Sequence, residues 1–218
     1  MGRCFYACGV RHLVDAIRQD LRAYLRLDPA TKNVFQLIFF NASFHGLTLY
    51  RLSHLFYHWK IYPLAYLFHY LNRVLFSMDI HPAAEIEPGV VIDHGIGVVI
   101  GATASVKSGT VIYHGVTLGA KHICSGKRHP DVGRNVFIGA GAKILGPIKV
   151  GDNAVIGANA VVLRDVPEDS LAVGIPARIL RRDDSAEPGR QHTDGEVDHR
   201  TKGVPQDREK QPLGQRER

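Results

Sequence analysis

Aliphatic residues return at every sixth position through the middle of the chain. Ile80, Ile86 and Ile92 keep that step, as do Ile100, Val106, Ile112 and Leu118, and later Val132, Ile138, Ile144, Val150, Ile156 and Val162. Small residues accompany them, as in "IGAGAK", "VGDNAV" and "IGANAV". This period predicts a solenoid of short parallel strands, in which each inward aliphatic side chain stacks on its equivalent in the next coil. Three hexads make one triangular coil. A β-sandwich would instead alternate with a period of two and turn every 8–12 residues. The ladder slips twice. From Ile92 to Ile100, in "VIDHGIGVVIG", the step is six plus two, and from Leu118 to Val132 it is fourteen, read as twelve plus two. Residues 119–131 are therefore expected to form an extruded loop.

Ahead of the ladder the pattern is helical. "VRHLVDAIRQDLRAYLRL" sets Leu13, Ile17, Leu21 and Leu25 on one stripe, with Val14 beside it. "DPATKN" then punctuates, with Asp28 in a cap position and Pro29 at a helix start. Two further helices are predicted over about 33–57 and 63–76, the second opened by Pro63. After the ladder comes "RRDDSAEPGRQHTDGEVDHRTKGVPQDREKQPLGQRER", which has too little apolar surface to offset its ordering entropy. The expected fold class is thus α+β: an N-terminal helical domain (1–78), a parallel β-helix (79–180) and a disordered hydrophilic tail (181–218).

Composition narrows the partners. The 218 residues are 45% hydrophobic, with formal charge +6 and pI near 9.3. In the tail acidic and basic residues are mixed without aromatics, which predicts a solvated segment and not a nucleic-acid surface. "NVFQLIFFNASFHGLTLYRLSHLFYHW" is apolar but broken by Asn41, His45, Arg51 and His54, whereas a membrane-spanning helix needs about 20 mostly apolar residues. A buried helix is expected there. The start "MGRCFY" has Tyr6 where a myristoylation signal has Ser or Thr, and no long apolar secretion segment follows. Cys4, Cys8 and Cys124 form no CxxC pair, which fits a reducing, cytoplasmic setting.

The first slip displays Asp93 beside His94. Two surplus residues can push the imidazole out of the repeat, and an imidazole titrating near 6.5 accepts a proton at neutral pH. His94 is the candidate base. His114 follows it by twenty, one coil plus the slip, and is expected to stack above it. His122, Cys124 and His129 lack regular ligand spacing and an evident fourth ligand, so no metal is expected. His54 and His58, four apart without the Glu of a metalloprotease helix, are expected on a helix surface.

"DIHPAAEIEPGVVIDHGIGVVIG", "VTLGA", "KRHP", "IGAGAKILGPIKVG" and "IGANAVVLRDVP…GIPARIL" resemble the serine O-acetyltransferases, hexapeptide-repeat acyltransferases, from about residue 15 to 180. The resemblance extends to "LDPA" and "FHGLTLYRLSH" in the helical part. It implies a left-handed β-helix and transfer of an acetyl group from acetyl-CoA to the hydroxyl of L-serine, giving O-acetyl-L-serine for cysteine synthesis. It assigns His94 as general base, Asp79 of "DIHPAA" as its orienting carboxylate, and His129 across the substrate. Asp28 and Asp93 would meet the serine ammonium, and Arg128 would clamp its carboxylate, as a guanidinium does bidentately. Gly119, Ala120, Ala140 and Ala158 would wall the coenzyme groove between neighbouring subunits, which implies a homotrimer and leaves open a dimer of trimers. Three positions depart from the family pattern. Ala102 replaces the Glu usual after "VVIG", "GAKHI" replaces "GGTGK", and "GQRER" replaces the terminal Ile through which some members dock on cysteine synthase. That docking is not expected here. The rival readings are O-acetylation of another hydroxyl, such as a modified amino acid or a sugar, and a non-catalytic trimeric scaffold.

Overall fold

A computed structural model of the chain describes residues 9–28, 33–123 and 125–181. Four helices come first: α1 (Val10–Leu27), α2 (Val34–Phe40), α3 (Ala42–His58) and α4 (Tyr62–Phe76). The stretch expected as one helix over 33–57 is two, because Asn41 breaks it. Its backbone is extended, and its side chain accepts from Phe44 N at 2.9 Å, capping α3. Asp28 terminates α1 and does not open the next helix; Asn33 caps α2, accepting from Gln36 N at 2.8 Å. Pro29, the three cysteines and the tail beyond Arg181 lie outside the described residues.

Five coils of parallel strands follow. The first holds β1 (Asp79–Ile80), β2 (Glu85–Ile86) and β3 (Val91–Asp93); the second β4 (Val99–Ile100), β5 (Ser105–Val106) and β6 (Val111–Tyr113). The third holds β7 (Thr117–Gly119), β8 (Asp131–Val132) and β9 (Phe137–Ile138); the fourth β10 (Lys143–Leu145), β11 (Lys149–Val150) and β12 (Val155–Ile156). The last has β13 (Val161–Val162) and β14 (Ser170–Val173), which pairs antiparallel with β15 (Arg178–Arg181). Strands stack into three faces: β1-β4-β7-β10-β13 (first), β2-β5-β8-β11 (second) and β3-β6-β9-β12-β14-β15 (third). Ile80, Ile100, Leu118, Ile144 and Val162 form the inward column of the first face, each at most 1% exposed. Full burial of such a side chain stabilises by about 1.5–3 kcal/mol, an upper figure against an extended reference chain.

Register revises the second slip. Val106 on the second face neighbours Val132, so Leu118 to Val132 is one face-to-face step. The loop therefore carries eight residues beyond a regular hexad (14 − 6 = 8), not two beyond a pair of hexads.

The helices close the open end of the prism. The first coil is an edge whose backbone groups need partners. Tyr24 of α1 donates to Ile92 O (2.9 Å) and accepts from Ile92 N (3.2 Å). Tyr50 of α3 does the same for Ala84 O (2.6 Å) and Ile86 N (3.2 Å). Arg51 donates to Ile86 O and to Glu87 O, and is held by Asp20, which also accepts from Gly89 N at 2.8 Å. These duties explain why α1 is fully buried along Ala16, Asp20, Ala23 and Tyr24, while Ile17, Leu21 and Leu25 are only partly buried. His54 likewise corrects the surface expectation: it is 2% exposed, its Nδ1 donates to Pro82 O at 2.7 Å, and its ring meets His58 edge-on at 4.3 Å. The face of α3 that carries it is turned toward the coil. Among the described residues no helix is long and apolar enough to cross a membrane.

Candidate active site

The first slip is a bulge at the corner between the third and first faces. Asp93 pairs with Tyr113, twenty residues on, whereas Val99 pairs with Thr117, eighteen on; the two surplus residues fall between. His94 takes a left-handed conformation (φ 49°), which costs an L-residue roughly 1–2 kcal/mol. Its carbonyl accepts from Ile96 N at 2.6 Å, and Gly97 N returns to the ladder by donating to Ser77 O at 2.9 Å. Gly95 is pinned from two sides: its N–H donates to Ser43 Oγ of α3 at 2.9 Å, and a Cβ there would lie 2.0 Å from Met78 Cε. The imidazole stands outside the prism, 79% exposed, with Nε2 3.8 Å from Asp93 Oδ1. His114 is not stacked on it, because Gly115 N donates to Ile96 O and makes Ile96 the equivalent of His114.

His94 opens on a cleft of about 280 Å³ lined by Asp28, Asp93, Gln36, Asn41, Phe40 and Phe76, among others. Two carboxylates in one cleft favour a cation. Their field is felt at Tyr113, whose phenol is pushed up by burial first and then by Asp93 and Asp28.

A second group sits at the corner between the first and second faces. The His129 ring lies flat on Gly101, where a Cβ would be 2.1 Å from Cδ2 and Nε2, so only glycine fits. Burial, and then the charges of Arg128, Lys127 and His81, lower the pKa of His129. Burial first, then His69, lowers that of His81, against the pull of Asp79. Asp79, in register with Val99 on the first face, adjoins this group through His81: its Oδ1 accepts from His69 Nε2 at 2.9 Å, and Oδ2 lies 3.5 Å from Arg73. Among the described residues it makes no hydrogen bond to His94.

The two corners are separated by the width of the first face. Past the turn at Ile96 and Gly97, the chain from Val98 to Gly101 runs three residues, roughly 10 Å of extended backbone. Asp28, Asp93 and His94 thus lie at one corner and Arg128 and His129 at the other, with Asp79, level with Val99, on the face between them.

Residues 129–164 match the family model described as bacterial transferase hexapeptide (six repeats). The serine acetyltransferase of Synechococcus elongatus is 45% identical over 163 residues, 75% of this chain and 67% of that one. The Helicobacter pylori enzyme is 45% identical over 164 residues, 75% of this chain and 96% of that one. The chain belongs to the serine acetyltransferase family. A solved serine acetyltransferase in complex with cysteine superposes with a TM-score of 0.77 at 42% identity, covering 78% of this chain and 71% of that one. The enzyme of Brucella abortus in complex with coenzyme A gives 0.76 at 39% identity, covering 79% and 69%. The four helices and left-handed parallel β-helix of this chain match the fold of those structures over the residues covered.

In this family member the residues expected along the coenzyme divide between the same two corners. Ala140 and Ala158 lie above the His94 bulge, one coil apart, with Asn159 N donating to Ala140 O at 2.8 Å. Gly119 and exposed Ala120 end β7 at the His129 corner; a Cβ on Gly119 would lie 2.9 Å from Leu145 Cδ2, so that side chain would have to shift. Sequence reasoning missed Ser43, Met78 and Thr103, which hold the bulge and the His129 ring. Nothing in the hexad pattern marks them, though a glycine directly after His94 does signal a close approach. Among the described residues no three His, Cys, Asp or Glu side chains form a metal-holding group.

Proposed function

We propose that this serine O-acetyltransferase works at a seam between two copies of the chain, one giving the His94 corner and the other the His129 corner. The observation that carries this reading is the separation of the two halves by a full face. Acetyl-CoA is the acetyl donor and L-serine the acceptor, and the product is O-acetyl-L-serine for cysteine synthesis. In the reaction, His94 Nε2 takes the serine hydroxyl proton as that oxygen attacks the thioester carbonyl. The tetrahedral adduct then expels the thiolate, which takes the proton back from the imidazolium, leaving O-acetyl-L-serine and coenzyme A. Asp28 and Asp93 receive the serine ammonium, and Arg128 of the second copy grips its carboxylate. Asp79 of that copy, already ordered by His69 and Arg73, faces the imidazolium that forms. His129 lies across the substrate. The pantetheine arm runs between Ala140 and Ala158 on one wall and Gly119 and Ala120 on the other.

A homotrimer is the smallest closed ring that such a head-to-tail seam makes with a triangular prism, and two trimers pairing is a further step. The helical domain (1–78) seals the coil and the β-helix (79–180) carries the chemistry. Nucleic acid, membrane and C-terminal docking on a cysteine synthase are not part of this reading, and the setting is cytoplasmic. Cysteine, nearly isosteric with serine, competes for the same pocket. The test is thiol release from acetyl-CoA with serine, homoserine and sugar acceptors. Serine is expected to be fastest; negligible turnover with serine beside a faster acceptor would overturn the assignment.

A further inference from the structure

Thr103 is the third residue of the turn that Ala104 N closes onto Gly101 O at 3.0 Å. Four contacts bind it to the segment carrying His129. Its Oγ1 accepts from Arg128 N (3.1 Å) and His129 N (3.2 Å) and lies 2.9 Å from His129 Nδ1, while its own N–H donates to the same Nδ1 at 3.2 Å. Lys127 Nζ holds the Thr103 carbonyl at 2.5 Å and Asp131 at 2.5 Å. Residue 102, the other central residue of the turn, is Ala, so no carboxylate of this turn reaches the ring.

A backbone N–H can only donate, so the ring nitrogen it meets must accept and cannot carry the proton. The hydroxyl, already accepting twice, has its proton free for the same nitrogen. In a neutral ring the proton then sits on Nε2, which makes no hydrogen bond among the described residues. We propose that Thr103 is a positioning residue that fixes His129 as its Nε2–H tautomer, so that His129 meets the substrate as a neutral donor to the acyl oxygen and not as a second base. The charged and titratable groups facing the ring, Arg128, Lys127 and His81, all oppose a further positive charge there. A donor preset toward an oxygen that becomes negative stabilises the adduct without reorganising. This inference rests on the placement of His129 in the site.

The test labels the histidines of the full-length protein with ¹⁵N and assigns His129 by its loss in His129→Gln. The parent is expected to show Nδ1 unprotonated and Nε2 protonated at neutral pH. Thr103→Ser should keep that signature, and Thr103→Val should mix the tautomers. In the thiol-release assay Thr103→Val should lower kcat about three- to tenfold with little change in KM for serine, and Thr103→Ser should restore most of the loss. His129→Gln, which keeps an N–H but cannot serve as a base, should exceed His129→Ala in kcat. An Nδ1–H tautomer or an imidazolium in the parent overturns the role of Thr103, even if Thr103→Val does not fold. Parental turnover in His129→Ala overturns the placement of His129 itself.

Discussion

Replacing Gly95 by Ala should damage the enzyme through one methyl group. The new Cβ would lie 2.0 Å from Met78 Cε and 2.9 Å from Ile92 Cγ2. Carbon atoms settle at about 3.5 Å, so roughly 1.5 Å must be found. Met78 has nowhere to retreat: it is 1% exposed, and its sulfur already sits against Gly46 of α3, where a Cβ would be 2.7 Å away. The bulge must therefore move, and His94 moves with it. Overpacking of this kind costs about 1–3 kcal/mol of stability. A displacement of about 1 Å at a reacting group costs on the order of 10²-fold in rate. Thiol release from acetyl-CoA with serine, followed beside thermal unfolding, measures both effects. Adding Met78→Ala should recover part of the turnover, although the cavity costs about 2–5 kcal/mol more. Turnover of Gly95→Ala within about twofold of the parent would refute the claim that packing under the bulge aims the base.

Asp20→Asn should lower the melting temperature by several degrees. It breaks a pair in which Arg51 and Asp20 side chains are 1% and 2% exposed, and stranding such a cation costs about 3–5 kcal/mol. Unchanged melting would show that the helical cap contributes little. Acid should weaken the fold through His54, whose pKa burial lowers to about 4. The folded state holds the neutral ring, so its contribution is complete above pH 6.5 and is lost as pH falls toward 4, by at most about 3 kcal/mol. Urea unfolding of the parent and His54→Gln at pH 7 and pH 4.5 checks the sign: the parent should lose more on acidification than the variant.

Much of the fold was legible because a solenoid writes its geometry locally. One aliphatic residue per face repeats in every coil, so Ile80 to Val162 announce the prism, and the extra pair around His94 announces its defect. The size of the 119–131 loop was misread because the arithmetic alone does not say which face Val132 joins; only its pairing beside Val106 does. The helices were legible as helices but not by their contacts. Asn41 splits one through its own side chain, and His54 is drawn inward by a carbonyl 28 residues away. For the site, the protruding imidazole and its acidic neighbour followed from the slip. The link to Asp79 did not follow from the repeat, which sets that residue level with Val99 and beside His69 and Arg73; only the family resemblance names it.

The seam between copies is tested most directly by mixing two inactive variants. His94→Ala lacks the base half and Arg128→Ala lacks the clamp half, and each alone should lose nearly all serine acetylation. Co-expressed and co-assembled, they should regain activity, because random pairing rebuilds both intact halves at about one seam in four. Activity no higher than that of either variant alone would contradict a site shared between two chains.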